Sequence, residues 1–416
     1  MIPKYKDSQI PFIGQIPCEW EILRNKNLFF LDKKFVGNRF SEYQLLSLTK
    51  NGVIEKDLED ISGKQPESYD TYQAVKKGTL IMCLFDLDCS AVFSGISKFD
   101  GMISPAYKIM HGNEKVHMGY YDYLFWHIAR DRSYKTFSKN VRYTISDDEF
   151  GWIKTICPSV IEQKVIADFL DEECGKIDSI VADMESQVEI LKGYRKSLIN
   201  EVIVKGGGIK RRLKDLFIFG RGAGISKEFM QEEGLTCIHY GGIHFAYGFS
   251  VDPEKNEVWC VDEIWAKTSP NSLLRRGDFL FADTSEDIEG SGNFTYYNSD
   301  EPAIAGQGCI VLRAREKVVS RYIAYQFDSL TFRWQIQTQV FGVKVFHPTQ
   351  AIIKSCKMIV PPLDEQQAIA DYLDEECAKI DAIIKDKQAA VDIMREYKKS
   401  LIYEYVTGKK RVREAQ

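Results

Sequence analysis

One feature limits what this chain can fold into more than any other: a long internal repeat. Residues 158–204 recur at 361–407 without an insertion. The first copy contains Glu162-Gln163, Ile166-Ala167-Asp168, Leu170-Asp171-Glu172-Glu173-Cys174 and Lys176-Ile177-Asp178. The second answers with Glu365-Gln366, Ile369-Ala370-Asp371, Leu373-Asp374-Glu375-Glu376-Cys377 and Lys379-Ile380-Asp381. A self-similar segment is one structural unit used twice. In the first copy apolar residues fall at Ile177, Val181, Met184, Val188, Leu191 and Leu198 in alternating steps of four and three, interrupted at Arg195. The second keeps Ile380, Ile384, Val391, Met394 and Leu401 in the same phase. That is heptad spacing, which makes a narrow seam for one partner helix. A single such stripe would read as an ordinary core face. Two duplicated seams in one chain predict long helices that pair with each other. The acidic runs beginning at Asp171 and Asp374 are expected near the helix heads, where the dipole favours negative charge.

The repeats divide the chain into four parts. We expect globular segments at 1–157 and 209–360, a helical segment at 158–208 and a second at 361–416. Gly206-Gly207-Gly208 follows the first repeat and frees the chain from the helix. The globular segments are similar in length and only faintly alike in sequence. Trp20-Glu-Ile-Leu opens one and Ile209-Lys-Arg-Arg-Leu the other. Lys77-Gly78-Thr79-Leu80-Ile81 parallels Arg276-Gly277-Asp278-Phe279-Leu280, each a turn glycine entering a short buried strand. Leu45 to Leu48 and Cys237 to Tyr240 read as strands, and Tyr120 to Ala129 and Ser320 to Leu330 as aromatic-rich helices. The predicted fold class is mixed α/β, with two globular units.

Composition excludes more than it selects. No apolar run approaches the roughly 20 residues of a membrane span, and the first residues, Met1-Ile-Pro-Lys-Tyr-Lys-Asp, do not read as a secretory signal. A cytoplasmic protein is expected. The cysteines sit mostly in apolar stretches without a Cys-x-x-Cys pair, so reduced core thiols are expected rather than a metal site or disulfides. The net charge of −5 argues mildly against nucleic acid, but the charge is segregated. Basic runs stand at Lys192–Lys196, Lys205–Lys214 and Lys409–Arg413. Gly220-Arg-Gly222-Ala-Gly224 lacks the strand, helix and acidic residue of a dinucleotide fingerprint, and is expected to be a turn. No Walker A sequence is present, and His239 and His244 with Cys237 fall short of a metal-ligand set. No catalytic constellation is found, so the chain is not expected to be an enzyme.

The opening Tyr5-Lys-Asp-Ser8-Gln-Ile-Pro-Phe-Ile-Gly14-Gln-Ile-Pro17-Cys-Glu-Trp20 resembles that of type I restriction–modification specificity subunits. So do the two Pro-x-x-x-Glu-Gln repeats, at Pro158–Gln163 and Pro361–Gln366, and the ending Tyr397-Lys-Lys-Ser-Leu-Ile-Tyr-Glu-Tyr-Val-Thr-Gly-Lys409. The resemblance covers nearly the whole chain and is weakest within the globular segments. It implies two target recognition domains in a pseudo-two-fold arrangement, separated by two long antiparallel coiled-coil-like helices. It also implies double-stranded DNA with a bipartite target as ligand, and two modification (methyltransferase) subunits docked on the helices. S-adenosylmethionine then belongs to those partners, ATP and magnesium belong to restriction subunits, and this chain holds no cofactor. DNA contact needs basic and amide side chains in loops. Lys139, Asn140 and Arg142 stand before the first repeat, and Gln337, Gln339 and Lys344 before the second, at corresponding distances. Lys33, Lys34, Asn38 and Arg39 form a further cluster. Any of these could instead be a solvated loop residue or a phosphate contact. The rival reading of the whole chain is a coiled-coil adaptor without specific DNA recognition.

Overall fold

The structure is a computed structural model and describes residues 4–10, 12–49, 52–57, 68–87, 94–130, 133–138 and 143–412. The chain divides into two compact units, one of residues 1–184 with 389–416 and one of residues 185–388.

In the first unit the strands are β1 (Tyr5–Asp7), β2 (Gln15–Pro17), β3 (Glu21–Arg24), β4 (Phe29–Leu31), β5 (Leu45–Thr49), β6 (Gly52–Lys56), β7 (Gln73–Val75), β8 (Leu80–Met82), β9 (Ser94–Ile96), β10 (Gly101–Ile103), β11 (Lys108–Gly112) and β12 (Lys154–Cys157). Its helices are α1 (Met118–Arg130), α2 (Asp147–Trp152) and the first part of α3 (Val160–Lys205). Two four-stranded sheets run in the orders β6-β5-β10-β7 and β4-β11-β8-β9. Strands β5 and β10 are parallel, and their other neighbours are antiparallel. Every residue of Leu80–Met82 is buried. Both faces of that strand are covered, which is why it reads as a continuous apolar run rather than an alternating one.

The second unit holds β13 (Ile209–Arg212), β14 (Phe217–Arg221), β15 (Leu235–Ile238), β16 (Ser250–Val251), β17 (Trp259–Val261), β18 (Leu273–Leu274), β19 (Phe279–Ala282), β20 (Phe294–Tyr297), β21 (Ala303–Ala305), β22 (Cys309–Ala314) and β23 (Lys357–Val360). Its helices are α4 (Leu213–Leu216), α5 (Tyr240–Phe245), α6 (Ile264–Thr268), α7 (Ser320–Asp328), α8 (Leu330–Gln337), α9 (Gln350–Ser355) and most of α10 (Leu363–Val406). The sheet orders are β17-β15-β21-β18 and β14-β22-β19-β20-β16. Here too the central pair, β15 and β21, is parallel. The order and direction of the first unit's two four-stranded sheets therefore recur strand for strand, with β16 added at one edge. Gly78 and Gly277 precede β8 and β19 with φ of +84° and +88°. That left-handed turn is open to glycine at little steric cost, and it explains the one motif shared by otherwise diverged segments.

Each unit closes at its base in the same way. Strand β3 pairs with β12, and β13 with β23, each over four residues. Tyr121 Oη donates to Ile156 O (3.1 Å) and Tyr322 Oη to Ile359 O (3.0 Å). The repeated Gln is the junction. Gln163 is fully buried; its Oε1 accepts from His117 N (2.7 Å) and its Nε2 donates to Pro158 O (2.9 Å). Gln366 does the same with Val319 N (3.0 Å) and Pro361 O (2.9 Å). One amide thus satisfies a buried donor and a buried acceptor where a globular segment hands the chain to a long helix.

The seam residues face inward to different depths. Ile177, Val188, Ile380, Val391 and Leu401 are buried, while Val181, Met184, Leu191, Leu198, Ile384 and Met394 are half-buried. Within the first unit Lys398 Nζ meets the Asp178 carboxylate at 2.7 Å, so the end of α10 lies beside the early part of α3. Within the second, Arg195 Nε meets Asp381 Oδ1 at 3.0 Å and Lys387 Nζ donates to Gln187 Oε1 at 2.5 Å. The two contacts in the second unit, Arg195 with Asp381 and Gln187 with Lys387, require the helices to run antiparallel. The break in the apolar pattern at Arg195 is therefore a seam position held by a charged group.

Three expectations are corrected. The long helices begin at Val160 and Leu363, so Asp171 and Asp374 lie about three turns inside them, beyond the reach of the dipole. Their neighbours instead form pairs along the helix, Glu172 and Glu173 with Lys176, and Glu375 and Glu376 with Lys379. Asp171 and Asp374 accept from Tyr123 Oη and Tyr325 Oη, both at 2.8 Å. The strand expected to reach Tyr240 stops at Ile238, because His239 accepts from Gly241 N (3.2 Å) and caps α5. Gly220, the first glycine of the Gly-x-Gly-x-Gly run, lies in strand β14 rather than a turn.

Candidate nucleic-acid interface

In the second unit the candidate residues follow α8. Ser329 accepts from Phe332 N and starts that helix, and Gln337 ends it. Gln337 is half-buried, and its Nε2 donates to Glu289 O at 3.3 Å. Arg333, one turn earlier, donates from Nη2 to the same carbonyl (3.0 Å) and to Asn293 Oδ1 (2.6 Å). Asn293 Nδ2 lies 3.0 Å from His244 Nδ1, and His244 Nε2 lies 2.7 Å from Thr284 O. A single hydrogen-bonded path thus joins α5, the loop 283–293 and α8. Burial holds the Arg333 guanidinium below its ordinary pKa, against the pull of Asp328 and Asp287. Its contacts make it a brace for this face.

Gln339 is exposed but engaged: its Nε2 donates to Gln335 O (2.5 Å) and its Oε1 accepts from Ser355 Oγ (3.5 Å). Lys344 is exposed, on the segment 341–345. The structure therefore brings Gln337 and Lys344 to one loop system and turns Gln339 towards α9. Sequence reasoning missed His244, Asn293 and Arg333 as a supporting network. It also missed Phe245, Phe341 and Val343, which are among the most exposed large apolar side chains described. An apolar pair flanking a glycine, at 341–343, was the available signal.

In the first unit Lys139, Asn140 and Arg142 lie outside the described residues. Lys33 Nζ stands 3.4 Å from Asp147 Oδ2, and Lys108 Nζ 2.6 Å from the other oxygen of that carboxylate. Partial burial pushes the Asp147 pKa up, but the hydrogen bond from Lys108 and the charges of Lys108 and Lys33 outweigh it and hold the group below the usual carboxylate range. Lys34 Nζ pairs with Asp32 at 2.9 Å. Phe30 stacks on His111 beside that pair, with ring centroids 5.5 Å apart. Asn38 and Arg39 are exposed on the short 3-10 helix Gly37–Glu42. Of this cluster, the two lysines are held by carboxylates, while Asn38 and Arg39 face solvent.

Among the described residues, no group of three or more His, Cys, Asp or Glu side chains could hold a metal ion. No helix among them is long and apolar enough to cross a membrane.

These features define a class: a duplicated α/β scaffold, each copy closed by the same glutamine junction onto a long helix, with diverged loops beyond it. Residues 210–392 match the family described as type I restriction modification DNA specificity domain. The chain is 24% identical over 313 residues to the type I restriction enzyme MjaVIII specificity subunit of Methanocaldococcus jannaschii, covering 70% of each. A solved chain of a type I R-M system, studied for its assembly and conformational transition, matches with a TM-score of 0.69 and 14% identity over 95% of this chain and 99% of that one. The HsdS subunit from Thermoanaerobacter tengcongensis matches with a TM-score of 0.50 and 14% identity, over 95% and 98%. The chain is thus similar to type I restriction–modification specificity subunits, with the family's specificity domain matched over residues 210–392.

Proposed function

We propose that this chain recognises a bipartite double-stranded DNA target without doing chemistry on it, residues 1–157 reading one half and residues 209–360 the other. The observation that carries this reading is the pairing of one repeated topology with different loops. Two copies of a scaffold that share sheet order, base closure and helix junction, yet differ in the segments beyond them, are suited to presenting two different readers. In this reading the helical segments 158–208 and 361–416 fix the gap between half-sites and dock two modification subunits. S-adenosylmethionine is bound by those subunits, ATP and magnesium by restriction subunits, and the assembly works in the cytoplasm. Base-edge contact falls to Gln337 and Lys344 in the second reader and to Asn38, Arg39 and the 139–142 segment in the first.

Methylation-sensitive sequencing of DNA from cells expressing the chain with its modification subunit tests this. A two-part motif that needs both proteins is expected. Exchanging residues 1–157 for another reader should then change one half-site and leave the other intact. A change in both halves refutes the two-reader scheme. Absence of any new motif from a soluble complex favours the adaptor reading.

A further inference from the structure

Phe341 and Val343 are 86% and 97% exposed, flanking Gly342 in the segment between buried Val340 and half-buried Phe346. The segment is braced. Phe346 N donates to Ser285 O (2.8 Å) and Ser285 N to Phe346 O (2.9 Å). A Cβ at position 342 would fall 2.0 Å from Val345 O, so the turn closes too tightly for any side chain there. Two large apolar groups are thus held outward on a fixed turn. Single exposed apolar residues are ordinary on protein surfaces, but two around an obligatory glycine are a shaped feature. Its surroundings narrow the partner. Phe245, also 86% exposed, adjoins His244, which contacts Thr284 next to the brace at Ser285. Glu286, Asp287 and Glu289 are exposed on the same loop system. A carboxylate at a base edge can accept from a cytosine amino group, and Lys344, exposed beside the apolar pair, offers a cation to the phosphate that flanks a base step.

Resting on the two-reader function above, we propose that Phe341 and Val343 form an apolar wedge that enters a base step of the half-site read by residues 209–360. Apolar wedges of this kind unstack a step and bend the duplex. Lys344 then follows the adjacent backbone, and Gln337 lies against the neighbouring pair.

The test uses the full chain with its modification subunit and duplexes of the methylated motif carrying 2-aminopurine at successive positions of that half-site. Wild type should raise the fluorescence at one step. Phe341→Ala should abolish that signal and weaken specific binding roughly tenfold, leaving binding to unrelated DNA unchanged. Phe341→Trp should retain the signal, which separates a wedge from a folding defect. Undiminished signal and affinity in a Phe341→Ala, Val343→Ala double variant overturns the wedge. So does loss of the modification subunit instead of DNA, which would make the turn a protein-docking element. A wild-type complex that does not prefer the motif over unrelated DNA would instead sink the two-reader function itself.

Discussion

The two helix junctions use the same positions for the same purpose with different chemistry. Arg195 and Lys398 stand at equivalent places in the repeat, as do Asp381 and Asp178 that they face. Lys398 brings one ammonium to Asp178, at 2.7 and 2.8 Å, and its contact stays between helices. The Arg195 guanidinium reaches Asp381 at 3.0 Å and also Asp328, at the end of α7, at 3.5 Å. A forked guanidinium can serve two carboxylates where an ammonium on a flexible stem favours one. The second unit thus ties its globular segment to the seam through a charge that the first unit does not use that way. A duplicated position keeps its role in the seam while its second contact is free to diverge.

The sharpest break of this equivalence would come from the apolar layer, which the comparison requires to be the same in both copies. Leu170 and Leu373 are each fully buried at matching positions. Leu170→Ala and Leu373→Ala should each cost about 2–5 kcal/mol, measured by urea unfolding. Values differing severalfold would show that the repeats are not equivalent in packing. The glutamine junction comes next. Gln163→Ala strands His117 N and Pro158 O, and Gln366→Ala strands Val319 N and Pro361 O. Each should cost about 2–3 kcal/mol. Loss in one variant only would mean that water replaces the amide at the other junction.

How much of this was legible in advance divides along the same line. The seam was readable because heptad spacing is local and occurs twice. Why it lapses at Arg195 was not readable, because the answer is a carboxylate on the other helix, far away in the chain. The Pro-x-x-x-Glu-Gln motif was visible, but its meaning depends on the buried N–H groups of His117 and Val319, which only tertiary structure brings to the glutamine. The sheets were foreseen as short strands, though not their order. Pairings such as β4 with β11 join strands whose three to five residues carry no register signal. In the candidate interface, residue type identified Gln339 as an amide available to a base, whereas its hydrogen bonds to Gln335 and Ser355 tie it into its own unit.

The charged seam layer should respond unequally. Arg195→Met removes a partner from two carboxylates, one of them well shielded, and should cost about 1–2 kcal/mol. Lys398→Met leaves only a largely exposed Asp178 and should cost less than about 1 kcal/mol. Thermal unfolding at low and high salt would check this, with the smaller effect vanishing in salt. Equal losses would refute the claim that Arg195 does more than bridge the helices.

A further unequal pair lies one residue past the paired tyrosines. Tyr121 and Tyr322 donate to equivalent strand carbonyls, so Asp122 matches Ile323. Ile323 is fully buried, whereas Asp122 is shielded on α1, with Oδ1 accepting from Ser94 Oγ at 3.1 Å. Burial pushes the Asp122 pKa up to about 6, while the Ser94 and Ile96 hydrogen bonds pull it down less strongly. A carboxyl raised in the folded state binds its proton more tightly there than when unfolded. The stability this adds is complete below about pH 4 and is lost as pH rises through about 6. Asp122→Asn should therefore match the parent near pH 4 and exceed it at pH 7.5 by about 1 kcal/mol, allowing for the solvent that still reaches the site. Urea unfolding at the two pH values checks the sign. A gain of the same size at both would mean that removing the ionisable group is not what stabilises, and that packing separates this position from its isoleucine counterpart.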